Sequence, residues 1–477
     1  MVRRAVACPE RQPAEQPAES STYELPARIT SRNHKSSKDK KKKTTIIKAD
    51  ILIPGAGEPQ HNAALVIQDK TIAWVGPSTA IPAAYTSQTP SSRVHHVPVA
   101  IPGLWDVHVH VEAEPPEDEQ DNPADRIVTH PATAGAQIAR GCWEALQRGY
   151  TSLRDLAGYG CEIARAIDSG AAVGPHIYAA GACLSQTGGH GDIFQIPAGT
   201  ALLHLGVGAT SLIPGTQYAG GSSVLVDGVD ECRRAVRLQI RRGARCIKIM
   251  ASGGVGSRDD DVYCAQFSRE ELECIVSEAA RQKVSCAAHV HSKEGIMAAL
   301  QAGVRSVEHV SFADRECVDL IREKKVVWVA TRTVNEILKQ TKGRGLPRNV
   351  WEKAKKVSGA SLEAYKMAIA DGEIAFALGT DTAPGFNMAM ELDYAVQAGM
   401  TNLEAIKAAT ANGPLTLGEK APLSGQLKVG YDADVLGVLA NPADDVKVLM
   451  DKHNIGWVWK GGRLFKGPGV GPWGEEE

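Results

Sequence analysis

"SREELECIVSEAARQKVSCAAHVH", residues 268 to 291, changes its hydrophobic period part-way along. Up to Val284 the apolar residues recur three and four apart, the spacing of a helix with one face on a core. From Ser285 the chain becomes a short apolar run ending in two histidines, which reads as a strand. Similar strand-like runs lie at 151–156, 176–185, 246–252, 306–310, 326–331 and 374–381, with helix-like segments such as "TAGAQIARGCWEALQRGY" (133–150) between them. The run before His108 makes eight strands, each followed by room for a helix. Strict alternation of this kind predicts an α/β fold with a parallel sheet, and eight units predict a (β/α)₈ TIM barrel over residues 101–415. A doubly wound open sheet is the alternative, but no GxGxxG opens the first unit.

Both flanks of the barrel are short, turn-punctuated β runs, at 44–100 and 416–477. They predict one small β-sandwich assembled from the two chain ends. Residues 1–43 are rich in Pro, Glu, Ser and Lys, a composition too polar to order itself, and read as a disordered leader. The leader has no apolar h-region, so a signal peptide is not expected. The charges nearly balance, 53 basic against 55 acidic, which argues against nucleic-acid and membrane partners. The ten cysteines are scattered singly, several inside apolar strands, as free thiols in a reducing compartment would be. A cytoplasmic location is the expectation, with secretion by another route left open.

"IPGLWDVHVHVE" (101–112) carries the first chemical signal. Alternate strand residues share a face, so His108 and His110 lie together at the end of the first strand, where barrel active sites form. Strand five ends in His289, strand six in His309 and strand eight in Asp381, at equivalent depths. Strand four carries Lys248 inside "CIKIMASGG", and a buried lysine must be neutralised, paired or chemically modified. Imidazoles with a carboxylate suit zinc, and two such cations about 3.5–4 Å apart would form a clamp. His291 shares the face of His289 and reads as a supporting residue, since one ligand per strand end suffices.

Together with the closing "GQLKVGYDADV" (425–435), these motifs resemble the metal-dependent amidohydrolase superfamily. Longer stretches, including "LSQTGGHGDIF", "MASGGVGSRDD" and "WKGGRLFKGPGVGPWGE", resemble the fungal ochratoxinases and their carboxypeptidase-like relatives. The resemblance implies one zinc on His108, His110 and Asp381 and a second on His289 and His309. A carboxylated Lys248 and a hydroxide would bridge them. It further implies that Asp381 moves the proton, that His190 in "TGGHGD" contacts substrate, and that the enzyme is a homo-oligomer, an octamer being the size the likeness suggests.

The expected reaction is cleavage of the amide bond of N-acyl amino acids, including ochratoxin A to phenylalanine and ochratoxin alpha. The substrate is then a small amide with a free carboxylate, for which Arg258 in "GSRDDD" is the candidate partner. An Xaa-Pro dipeptidase and an imidazolonepropionase-like cyclic amide hydrolase are the alternatives. A mononuclear deaminase fits less well: it calls for His-x-x-Glu after strand five, and Ser292 stands three residues beyond His289. A non-catalytic relative is disfavoured because every ligand position is filled.

Overall fold

The computed structural model describes residues 43–112, 129–207 and 222–475. The leader up to residue 42 and the acidic loop 113–128 lie outside the described residues. Eight parallel segments form the barrel: Leu104–Val109, Tyr150–Asp155, His176–Ala179 continuing into Cys183–Ser185, Cys246–Met250, Ser285–Val290, Ser306–His309, Val327–Val329 and Ala375–Phe376. The ring closes between its last and first members, where Val107 N–H donates to Leu378 O at 2.9 Å and Val109 bridges Thr382.

The period change at 268–291 is realised residue by residue. Ser268 and Glu271 form a reciprocal capping box that starts the helix Arg269–Ala280, and Leu272, Ile275 and Ala279 are buried along its inner face. Truncating such a buried leucine to alanine costs about 2–5 kcal/mol. Lys283 turns the chain through a left-handed conformation (φ +56°), and the strand Ser285–Val290 then enters the barrel parallel to Cys246–Met250. The third strand, expected as one run over 176–185, is broken. His176–Ala179 pairs with strand two and Cys183–Ser185 with strand four, with Gly181 (φ +73°) at the switch, where a Cβ would collide with the Gln239 amide.

The two chain ends are hydrogen-bonded into one seven-stranded sheet, bent at bulges in Val66/Ile67, Gly437/Val438 and Val458/Trp459. Its middle strand, Val94–Pro102, pairs in parallel with Thr44–Leu52 on one side and antiparallel with Val435–Val438 on the other. After Gly103 the same backbone becomes the first barrel strand, so the sheet anchors the segment that carries His108 and His110. The nine described cysteines are all unpaired, and eight are buried. No described helix is long and apolar enough to cross a membrane.

Candidate metal centre

The carboxyl ends of strands six to eight carry four non-glycine residues in the left-handed region: His309 (φ +70°), Val310 (+53°), Thr331 (+48°) and Asp381 (+59°). Each costs on the order of 1–3 kcal/mol, and such residues gather where a site over-determines its backbone. The benefit is visible at strand six. Adjacent residues in a regular strand point to opposite faces, yet Glu308 bonds His108 while its neighbour His309 lies 4.0 Å from Asp381. At strand eight the same twist lets Asp381 N–H donate to His108 O at 2.7 Å and turns its carboxylate onto two imidazoles.

Asp381 Oδ1 lies 2.8 Å from His110 Nε2 and 3.4 Å from His108 Nε2. Burial opposes ionisation of Asp381, but His108, His110 and His309 outweigh it and hold the carboxyl well below its ordinary range. The other nitrogens of the two rings are fixed: His108 Nδ1 donates to Glu308 at 3.0 Å and His110 Nδ1 to the Ala157 carbonyl at 3.1 Å. His108 is buried, and burial lowers its imidazole to about 4, so it is neutral and can offer a lone pair. Lys248 Nζ stands 3.4 Å from His108 Nε2, and burial lowers its amine.

Beside this group stands another, His289, His291 and His309, whose ligand nitrogens lie within 4.8 Å of one another. Thr331 Oγ1 holds His309 Nδ1 at 2.7 Å, and Ser311 Oγ holds His291 Nδ1 at the same distance. His289 has a buried Nε2 with no partner among the described residues. Burial and the neighbouring imidazoles keep His289 and His309 well below the usual histidine range, hence neutral.

His190 stacks on His289 with ring centroids 4.2 Å apart. Its Nδ1 meets Ser257 Oγ at 2.7 Å and lies 3.5 Å from Asp260 Oδ2. Lys353, reaching in from the helix Arg348–Asp371, donates to the Gly254, Ser257 and Asp260 carbonyls and to Asp260 Oδ1, pinning that loop. Arg258 is not drawn into the cluster: half-exposed, it pairs with Asp259 at 3.1 Å. Ser292, where a deaminase would need Glu, caps the next helix by accepting from Gly295 N–H.

The donors suit a divalent cation on three counts: neutral buried imidazoles, an orphaned nitrogen on His289, and a carboxylate held ionised between two rings. Matching against known families agrees, with the Amidohydrolase family covering residues 99–465. The chain belongs to the amidohydrolase family. It is therefore a hydrolase. An ochratoxinase from Aspergillus niger is 56% identical over 436 residues, 91% of this chain and 89% of that protein. The crystal structure of the A. niger ochratoxinase superposes with a TM-score of 0.86, covering 91% of this chain and 98% of the other. A Xaa-Pro dipeptidase solved with bound methionine is 28% identical, with a TM-score of 0.73 over 89% of this chain and all of its own. An imidazolonepropionase from Nocardia farcinica is 22% identical over 85% of this chain and 92% of that protein.

Four residues around this amidohydrolase centre went unnoticed in the sequence: Glu308, Arg154, Asp260 and Lys353. The first two carried a signal, as charges inside the apolar runs "SVEHV" and "TSLRDL". Asp260 and Lys353 lie in polar segments, where nothing distinguishes them from solvated charges.

Proposed function

We propose that this chain is a binuclear zinc amide hydrolase that cleaves N-acyl amino acids, ochratoxin A among them. The observation that carries the reading is the convergence of His108, His110, Asp381, His289 and His309 beside the buried Lys248 amine, in a chain 56% identical to an ochratoxinase. His108, His110 and Asp381 would hold one cation and His289 and His309 the other, with carboxylated Lys248 between them. Bound there, the cations supply a nucleophile from water at neutral pH and polarise the scissile carbonyl.

The protein's own groups divide the remaining work. The Lys248 amine, its charge disfavoured by burial, adds to carbon dioxide; an N–C bond forms, a proton leaves, and the resulting carbamate is an anion with two oxygens. Asp381, oriented by His108 and His110, takes a proton at its carboxylate and returns it to the leaving nitrogen. His190, its Nδ1 engaged by Ser257, has Nε2 left for the substrate carbonyl oxygen. Tyr263 and Phe312, on the loops after strands four and six, pair at 4.8 Å with Tyr263 exposed, and would receive an apolar side chain. Arg258 would have to exchange Asp259 for the substrate carboxylate. Assembly as a homo-oligomer, readable by analytical ultracentrifugation, is part of the same proposal.

The test is a hydrolysis screen of purified enzyme against ochratoxin A, other N-acyl amino acids, Xaa-Pro dipeptides and cyclic amides. Phenylalanine should appear from ochratoxin A, stop after chelation and return with zinc. Turnover of Xaa-Pro dipeptides alone would replace the reading with the dipeptidase one, and turnover of cyclic amides alone with the imidazolonepropionase one.

A further inference from the structure

We infer that a basic cleft at the amino end of the barrel, away from the histidine cluster, binds a small molecule carrying a phosphate group. The cleft, of about 710 Å³, lies between the last turns of the helix Pro131–Gln147 and the sheet strands Ile455–Lys460 and Arg463–Lys466. Arg148 caps that helix, and two residues later Tyr150 begins barrel strand two. The cleft therefore sits where strands enter the barrel, whereas the histidines stand where strands leave it. Ligand pockets commonly span about 300–1,000 Å³, so a nucleotide or a sugar phosphate has room here.

Charge selects the ligand. Over the whole chain acids and bases nearly balance, yet this cleft is walled by Arg140, Arg148, Lys452 and Lys466 against one carboxylate, Glu144. Arg140 engages that carboxylate at 2.6 Å. The Arg148 guanidinium and the Lys452 ammonium have no partner among the described residues. Lys466 is half-buried, and its Nζ donates to the Gln147 carbonyl at 2.8 Å and to the Lys452 carbonyl at 2.7 Å. One carbonyl belongs to each wall, so the ammonium is fixed across the cleft without being neutralised. Burial, with Lys452 and Arg148 nearby, pushes this amine down to about 8, and an anion between the three would relieve their repulsion. Asp451, whose charge also reaches Lys466, is committed to His453 Nδ1 at 2.9 Å. A lone carboxylate would leave most of this positive charge unmatched. A phosphate monoester carries a charge of about −2 at neutral pH and three acceptor oxygens, enough for Arg148, Lys452 and Lys466 together.

The test is calorimetric titration of the purified full-length enzyme with AMP, inorganic phosphate and adenosine in low-salt, phosphate-free buffer. AMP should bind once per chain and raise the melting temperature, adenosine should do neither, and added sodium chloride should weaken the binding. Inorganic phosphate binding as tightly as AMP would assign the site to the free ion, and tighter binding of AMP to an organic phosphate. Arg148→Gln and Lys452→Gln should each weaken AMP at least about tenfold, one charge-assisted contact apiece. Neither residue holds another side chain, so both variants should melt at the wild-type temperature when no ligand is present. Lys466→Met also cuts two ties between helix and sheet; should it fail to fold, the other two variants decide. Three results would overturn the inference: no saturable binding of AMP or phosphate, equal binding of adenosine, or affinity that both variants leave unchanged. In the last case, loss of binding on chelation would assign the ligand to the histidine cluster instead. None of these outcomes bears on the amide-hydrolase reading, because Arg148 and Lys452 stand apart from its residues.

Discussion

Glu308 on strand six and His108 on strand one are joined at 3.0 Å, and the same carboxylate accepts from the Arg154 guanidinium at 2.8 Å, with all three side chains shut off from solvent. Burial opposes the charge on Glu308, but Arg154 and His108 outweigh it and lower the carboxyl from 4.5 to about 2. The carboxylate therefore orients the His108 imidazole while neutralising an arginine in the barrel interior.

Glu308→Gln should accordingly destabilise the fold by about 3–5 kcal/mol at neutral pH, since it strands Arg154 as a buried unpaired charge. The effect has a pH signature. A carboxyl lowered in the folded state stabilises fully above its unfolded value, near 4.5, and loses that contribution as pH falls towards 2. Urea unfolding of wild type and variant should therefore differ most at pH 6–7, with the gap narrowing below about pH 4.5 and closing only towards about pH 2. A pH-independent gap would mean that Glu308 acts through packing alone.

Asp381→Asn keeps the shape of the side chain but removes its proton-accepting charge. Turnover should fall by about 10²–10⁴, the usual range for a general acid–base group. Steady-state kinetics with parallel zinc analysis would show activity falling further than metal content. Near-wild-type turnover would assign the proton to another residue.

Replacing Lys248 with alanine should abolish turnover, and arginine should not restore it, because a guanidinium neither adds carbon dioxide nor sheds its charge. Reloading chelated wild-type enzyme with zinc should be faster when bicarbonate is present. Equal recovery without carbon dioxide, and a crystal structure showing a plain amine at Lys248, would together exclude the carbamate.

Converting the α-carboxylate of an N-acyl phenylalanine to its amide should cost at least tenfold in kcat/KM, about the 1.4 kcal/mol of one charge-assisted contact. Tyr263→Ala should raise KM for the phenylalanine substrate several-fold more than for the alanine one, since an aromatic contact is worth about 0.5–1.5 kcal/mol. Identical effects on both substrates would remove Tyr263 from side-chain selection.

The barrel was readable because its strands are short apolar runs and its helices keep a three-and-four period, both local properties. His108, His110, Lys248, His289, His309 and Asp381 stood out because ionisable groups at the ends of apolar strands are conspicuous. Long-range geometry was not readable. Gly181 breaks strand three because Gln239, far along the chain, occupies the space a Cβ would need. The left-handed turns at His309 and Asp381 occur at residue types that do not announce them. Arg258 looked available because its partner is simply the next residue, and an adjacent aspartate reveals nothing until the side chains are placed.

The strand Val94–Pro102, flanked by Thr44–Leu52 and Val435–Val438, ties the finished enzyme to the order in which it is synthesised. Until the distant C-terminal segment leaves the ribosome, one edge of Val94–Pro102 has no partner, and an open edge of this kind invites pairing with another nascent chain. The interval spans the making of the whole barrel, so folding of the first strand's anchor waits until Val435–Val438 has been made. A chain stopped before Val435 would keep its histidines and its hydrophobic barrel yet present a sticky flank, and it should accumulate in inclusion bodies until a peptide bearing residues 435–466 is supplied in trans.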